Sequence, residues 1–274
     1  MGHYKIDNIN LFISERGTGQ LIVFVHGFPF DHTIWDRTCN VLQNDFRVIA
    51  PDLRGLGQSE LPDGWNITPM EQFADDLHFL LPRLGIGEKR GEKIVICGLS
   101  MGGYIVMQYA RKYRNELAGL VLCNTKTITD SPAVAENRRK QAAGLIDGTL
   151  ELRSIADAMI PKLFAETTSK EKPEIIQELR AVIESNQPAG VAAAALGMAE
   201  RLDTTELLGE LEIPVLVICG SEDQFSPPSE MKPLAEKAKH GTFAEIPNTG
   251  HLPPLEQPEL FANTLKKWIH SLPQ

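Results

Sequence analysis

Three residues far apart in the chain carry the makings of a nucleophilic site. Ser100 stands inside Gly98-Leu99-Ser100-Met101-Gly102, Asp223 inside Gly220-Ser221-Glu222-Asp223, and His251 directly after Gly250. A serine hydroxyl is a poor nucleophile until a neighbouring base takes its proton. Histidine suits that task because it ordinarily titrates near neutrality, and a carboxylate beside it fixes its tautomer and stabilises its cation. The chain order serine, acid, histidine is the one used when all three sit on loops after strands of an α/β sheet. The chemistry this predicts is acyl transfer: Ser100 attacks a carbonyl carbon, His251 moves the proton and Asp223 holds His251. The alternatives fit less well. Glu222 adjoins Asp223 but is expected to project to the other side, Asn124 cannot ionise, and Asp130 lies several residues past its strand. His3, His32, His78, His240 and His270 are poorly placed.

The elements around these residues must deliver them to one place. Residues 93–97 are mostly apolar and rich in β-branched types, which reads as a buried strand, and residues 104–113 have helical spacing. A strand therefore runs through a glycine-rich turn into a helix with Ser100 at the apex. A turn this tight strains the serine backbone, and side chains at 98 and 102 are expected to collide across it, which glycine avoids. The turn lifts the hydroxyl out of the sheet at a helix N-terminus, where the Met101 N–H faces developing negative charge. A turn without chemistry would also explain the glycines; the strand-to-helix placement favours the nucleophile. The second oxyanion N–H is expected from the loop after the strand at 21–25, His26-Gly27-Phe28-Pro29-Phe30, and by position falls to Phe28. His26 reads as a structural histidine tying that loop down, and Asp52 as the residue ordering the turn that follows it. Phe28, Trp35, Phe225 and Leu252 are expected to wall an apolar substrate pocket.

Residues 4–9 and 10–16 alternate apolar and polar, as an antiparallel hairpin at a sheet edge does. Further strands are expected at 46–50, 117–124, 214–219 and 242–246, with helices at 31–42, 70–84, 229–238 and 258–272; Gly85-Ile86-Gly87 should stop the second. The fold class is α/β: a mostly parallel twisted sheet of about eight strands with helices on both faces. Between residues 125 and 211 no strand-like run occurs, and helices are expected at 131–145, 150–164, 174–185 and 189–202. Residues 1–124 and 212–274 thus form the core domain, with residues 125–211 inserted as a helical cap over the C-terminal edge of the sheet, excluding water and shaping the pocket.

The composition narrows the partners. A net charge of -9 over 274 residues argues against a nucleic-acid binder, which needs a basic face. The four cysteines show no CxxC spacing and no His/Asp cluster has ligand spacing, so neither a metal nor another cofactor is expected. Gly55-x-Gly57 lacks the third glycine and the helix start of a dinucleotide fingerprint. No apolar run approaches the roughly 20 residues that span a bilayer, and the first residues lack the pattern of a signal peptide. The expectation is a cytoplasmic protein with no membrane partner, acting on a small-molecule ester or lactone, with self-association into a homo-oligomer left open.

With these residues in view, the sequence resembles the α/β-hydrolase fold superfamily over nearly its whole length. The matching segments are His26-Gly27-Phe28-Pro29, Asp52 through Ser59, Gly98 through Gly103, Gly220-Ser221-Glu222-Asp223 and Gly250-His251. Within it, the stretch from Asn124-Thr125-Lys126 to Met159-Ile160-Pro161-Lys162-Leu163-Phe164 resembles carboxylesterases of the 3-oxoadipate enol-lactonase-like group. The resemblance implies a serine carboxylesterase or lactonase. Two other readings compete: the same triad acting on carbon–carbon bonds, amides or peroxide, and a ligand receptor on a hydrolase scaffold that does not turn over. Dehalogenation is disfavoured, because Ser100 stands where dehalogenating relatives place an aspartate.

Overall fold

The computed structural model describes residues 1–86 and 92–273. Among these residues eight strands form one sheet: β1 (Gly2–Ile6), β2 (Ile9–Arg16), β3 (Gln20–Val25), β4 (Phe46–Pro51), β5 (Ile94–Leu99), β6 (Leu117–Cys123), β7 (Val215–Gly220) and β8 (Gly241–Ile246). Their order across the sheet is β1-β2-β4-β3-β5-β6-β7-β8. β2 pairs antiparallel with both β1 and β4, and the other pairings are parallel, so β2 alone runs against the rest. The helices are α1 (Asp36–Leu42), α2 (Met70–Leu80) and α3 (Met101–Tyr113), then α4 (Pro132–Asp147), α5 (Leu152–Met159), α6 (Glu166–Glu171), α7 (Pro173–Ser185), α8 (Pro188–Ala199) and α9 (Thr205–Glu210) between β6 and β7, and finally α10 (Pro228–Lys237), α11 (Pro253–Glu256) and α12 (Pro258–His270).

Successive strand residues point to opposite faces, so a strand buried on both sides must be apolar throughout. Leu21, Val23, Val25, Ile94, Ile96, Val215 and Val217 enter one core cluster, joined by Phe73 and Leu77 of α2, Ile105 and Tyr109 of α3 and Met231 of α10. Their alternating neighbours Ile22, Phe24, Val95, Cys97, Leu99, Leu216 and Ile218 enter the other, with Cys39 and Leu42 of α1 and Phe261, Leu265 and Trp268 of α12. The sheet is thereby sealed on both faces, and its C-terminal edge is where loops can carry polar groups.

Some elements differ from the sequence expectation. The helix expected at 31–42 is a 3-10 turn over His32–Trp35 followed by α1, and the one at 70–84 is α2 followed by a 3-10 turn over Leu81–Leu84. Gly85 closes that turn in the left-handed region at φ 69°; Gly87, the other half of the expected stop, lies outside the described residues. The short helices α6, α9 and α11 were not foreseen; six residues or fewer give too little periodicity to read.

The segment between β6 and β7 is helical, without a strand among the described residues. It is tied to the loops after β3, β4 and β8. Asn186 donates to the Pro29 carbonyl (3.0 Å) and accepts from the Gly57 N–H (2.8 Å). The His251 N–H donates to the Leu163 carbonyl (2.7 Å). The helical segment therefore overlies the edge of the sheet on which Ser100 sits.

Candidate active site

Ser100 sits between β5 and α3 at φ 56°, ψ −113°, a conformation a residue with a Cβ adopts only under constraint. The constraint is visible. Its N–H donates to Cys123 O (2.9 Å), while its carbonyl accepts from the Gly103 N–H (2.9 Å) and the Thr125 hydroxyl (2.7 Å). A Cβ at Gly98 would overlap the Gly102 carbonyl, as expected, but a Cβ at Gly102 would overlap the carbonyls of Val25 and His26. The second glycine is thus required by the close passage of β3, not by residue 98. Met101 is the first residue of α3, a position whose N–H has no partner within the helix. Phe28 follows β3 in the loop beside it, joined to Pro29 by a cis peptide bond.

His251 places Nδ1 2.9 and 3.0 Å from the two carboxylate oxygens of Asp223. Asp223 also accepts from the Phe225 N–H (2.8 Å), the Ser226 hydroxyl (2.6 Å) and the Asn124 side-chain amide (2.8 Å). Burial alone would raise this carboxyl; the charge and hydrogen bond of His251, with those other donors, outweigh it and hold Asp223 far below the usual carboxylate range. An anion at Asp223 assigns the imidazole proton to Nδ1 and leaves Nε2 as a proton acceptor. Ser100 and His251 line the same cavity, of about 640 Å³, with Asp223 behind the imidazole and nearly fully buried.

Of the four expected pocket residues, two line that cavity. Phe28 is one; Phe225 is the other, its ring centroid 5.0 Å from that of His251. Trp35 and Leu252 do not line it. Trp35 is fully buried between Phe24 (4.7 Å) and Phe261 (6.0 Å), because the 3-10 turn carries it under the sheet, where a large ring finds core partners. Leu252 is buried in the same cluster. Tyr104, Arg138, Met159, Lys162, Met198 and Arg201 supply much of the remaining wall.

Two residues near the site were missed by the sequence reading. Asn124, set aside there because it cannot ionise, directly follows β6 at φ 43° and bonds both Asp223 and the Gly250 carbonyl (3.2 Å). A polar residue closing an apolar strand beside the serine strand was the available signal. Glu256 is fully buried and accepts from the N–H groups of Gly250 (2.8 Å), Leu252 (3.3 Å) and Ala165 (2.9 Å). It clamps both sides of His251 and reaches into the helical segment. Burial, its largest influence, raises the Glu256 carboxyl above its ordinary value against the pull of those donors. No local pattern announced it. Glu222 is exposed.

His26 and Asp52 are buried, and both bond backbone. The Leu53 N–H donates to His26 Nε2 (3.0 Å), which places the ring proton on Nδ1, against the Gly27 carbonyl (2.9 Å). Burial, the largest cause, lowers the His26 pKa, and the ring ties the loop after β3 to the one after β4. Asp52 accepts from the N–H groups of His32 (2.7 Å) and Gln58 (2.8 Å), and from the His32 ring (2.6 Å). Asp31, His32 and Asp52 are the one group among the described residues whose donor atoms lie close enough for a metal, within 4.8 Å of one another. Asp52 is engaged by His32 and by backbone N–H groups, and Asp31 by the N–H (2.9 Å) and hydroxyl of Thr33, which is a loop-ordering network. No helix of the described residues is long and apolar enough to cross a membrane.

Comparison with known proteins places the chain in a family. A family model described as the alpha/beta hydrolase fold matches residues 20–258. A solved thermophilic esterase from Thermogutta terrifontis, with malate bound, is 47% identical with a TM-score of 0.89, over 96% of this chain and 93% of that one. The AB hydrolase superfamily protein YisY of Bacillus subtilis is 27% identical over 99% of this chain and the whole of its own. 3-Oxoadipate enol-lactonase 2 of Acinetobacter baylyi is 25% identical, over 89% of this chain and 86% of its own. In sequence and in fold alike, this chain belongs to the α/β-hydrolase family, among relatives that include esterases and enol-lactonases.

Proposed function

We propose that this chain is a serine hydrolase that cleaves carboxylic esters or lactones through an acyl-enzyme. The observation that carries the reading is that His251, backed by the buried Asp223, lines the same cavity as Ser100 on its strained turn. Ser100 Oγ attacks the carbonyl carbon as His251 Nε2 takes its proton. The N–H groups of Phe28 and Met101 receive the oxyanion, each worth about 3 kcal/mol in the transition state. The tetrahedral intermediate collapses, the C–O bond to the alcohol breaks, and His251 returns the proton to the departing oxygen. A water then attacks the acyl-enzyme by the same route and releases the acid and free Ser100. The helical segment at 125–211 acts as a cap that excludes bulk water from these steps. The esterase and enol-lactonase relatives support the choice of ester and lactone over amides and carbon–carbon bonds.

The test is turnover of short activated esters, γ- and δ-lactones, amides and 1,3-diketones by the purified protein and its Ser100→Ala variant. Ester or lactone hydrolysis that vanishes with Ser100 is the expected result. Activity that survives Ser100→Ala, or binding without multiple turnover, would overturn the proposal.

A further inference from the structure

The charges on the cavity wall run against the charge of the chain. The protein carries a net charge of -9, yet the cavity is lined by Lys126, Arg138, Lys162 and Arg201 with Asp130 the one acid among them. Lys126 is neutralised by Glu230 (2.7 Å). Arg201 is a brace: it is buried, ion-paired to Asp130 (2.7 Å), bonded to the Met198 and Ile128 carbonyls, and stacked on the Tyr104 ring at 4.1 Å. Arg138 gives Asp130 only its Nε–H (2.6 Å), and no bond to its Nη1 or Nη2 is found among the described residues. Lys162 has no ion-pair partner among the described residues. A half-buried aspartate held by two arginines leaves one positive charge over, and Lys162 adds a second.

We infer that the substrate of this site carries a carboxylate, and that Arg138 and Lys162 receive it while Ser100 attacks the ester carbonyl. The inference rests on the serine-hydrolase reading above and adds the charge of the substrate to it. The open Nη edge of Arg138 offers the paired N–H donors that match a carboxylate, and its Nε–H bond to Asp130 holds the fork in place. Lys162 contributes a mobile point charge. A cleft of one sign with apolar walls concentrates ligands of the other sign. Both residues lie in the helical segment, so the charge preference belongs to the cap and the bond-breaking groups to the sheet. Phe28, Phe225 and Met159 give the same cavity apolar wall as well.

The experiment compares monomethyl esters of four- to six-carbon dicarboxylic acids with methyl esters of the monocarboxylic acids of the same length, followed by pH-stat. In the wild-type protein the anionic member of the best pair is expected to have a kcat/KM about tenfold higher, the equivalent of about 1.4 kcal/mol. That ratio should fall toward unity in Arg138→Met/Lys162→Met, and in the wild type as salt is raised. Calorimetry with glutarate on Ser100→Ala reads the same contacts without turnover, and binding should weaken about tenfold with the double substitution. Equal or better turnover of the neutral esters, a ratio indifferent to both substitutions, or no glutarate binding would overturn the inference. Ser100-dependent cleavage of neutral esters alone would do so while leaving the hydrolase reading standing. Glutarate binding to a protein that hydrolyses nothing would overturn that reading and leave the carboxylate site.

Discussion

The molecule contains two buried histidine–aspartate pairs at the same edge of its sheet, and they serve different ends. His251–Asp223 joins the loops after β8 and β7 at 2.9 Å; His32–Asp52 joins those after β3 and β4 at 2.6 Å. In both the aspartate is fully or nearly fully buried and its pKa is lowered, burial being outweighed by the histidine beside it together with other donors. What separates them is access. The His251 ring lines the cavity that Ser100 opens on, whereas the His32 ring packs at 5.0 Å from Phe12 and is not on that cavity's wall. Asp52 is also engaged by the backbone of His32 and Gln58, so its charge orders two loops. A buried histidine–aspartate pair does not by itself mark a site; of the two, only His251 shares a cavity wall with Ser100.

Substitution should split the two pairs. Asp223→Asn is expected to lower kcat by about 10⁴-fold with a modest change in Tm, because the imidazole loses its tautomer and its counter-charge; steady-state kinetics alongside calorimetry reads both. His32→Gln should do the reverse, costing about 3 kcal/mol of stability, roughly 6–12 °C in Tm, while the folded protein keeps kcat within about tenfold. If both variants lost activity equally, the distinction between the pairs would be wrong.

The His32 loss should also depend on pH. Burial disfavours the His32 cation, but the Asp52 hydrogen bond and charge prevail and raise its pKa above 6.5, while Asp52 is lowered from 3.8. A raised histidine contributes fully below its unfolded pKa and loses that contribution as pH rises through its folded value. A depressed aspartate contributes above its unfolded pKa and loses it on acidification. The Tm gap between wild type and His32→Gln should therefore be widest between about pH 4 and 6.5 and narrow above that. A gap that is flat or widens with pH would refute the ion pair.

Smaller effects probe the supports of the first pair. Glu256→Gln keeps one acceptor oxygen but turns an amide toward N–H donors, so it should cost about 1–3 kcal/mol of stability and lower kcat more than it raises KM. Asn124→Ala removes one donor to Asp223 and should lower kcat about tenfold at constant KM, with Asn124→Asp more harmful because it sets a second carboxylate against the first. Unchanged kcat in both would show that the His251 loop holds its position without them.

Much of this was legible in the sequence because it is local. The strand, glycine turn, serine and helix at 94–113 announce themselves within twenty residues, and the loops bearing Asp223 and His251 each follow a strand, an apolar one in the case of Asp223. The two-faced core follows from uninterrupted apolar strands. What stayed hidden depends on contacts across the chain. Asn124 meets Asp223 across 99 residues and Glu256 meets Ala165 across 91. Trp35 and Leu252 follow loops that form the site, so proximity in sequence pointed to the pocket; which way their side chains face was decided by Phe24, Phe261 and the rest of the core. The requirement for glycine at 102 came from β3, some seventy-five residues away.

The central claim is that one serine hydroxyl, raised by its backbone and served by His251, is the nucleophile. An active-site-directed fluorophosphonate, followed by peptide mass spectrometry, tests it most directly. The account predicts one adduct per chain, on Ser100, forming rapidly in the wild type and slowed at least about 10³-fold by His251→Ala. An adduct on another residue, or labelling of Ser100 at the same rate without His251, would contradict it.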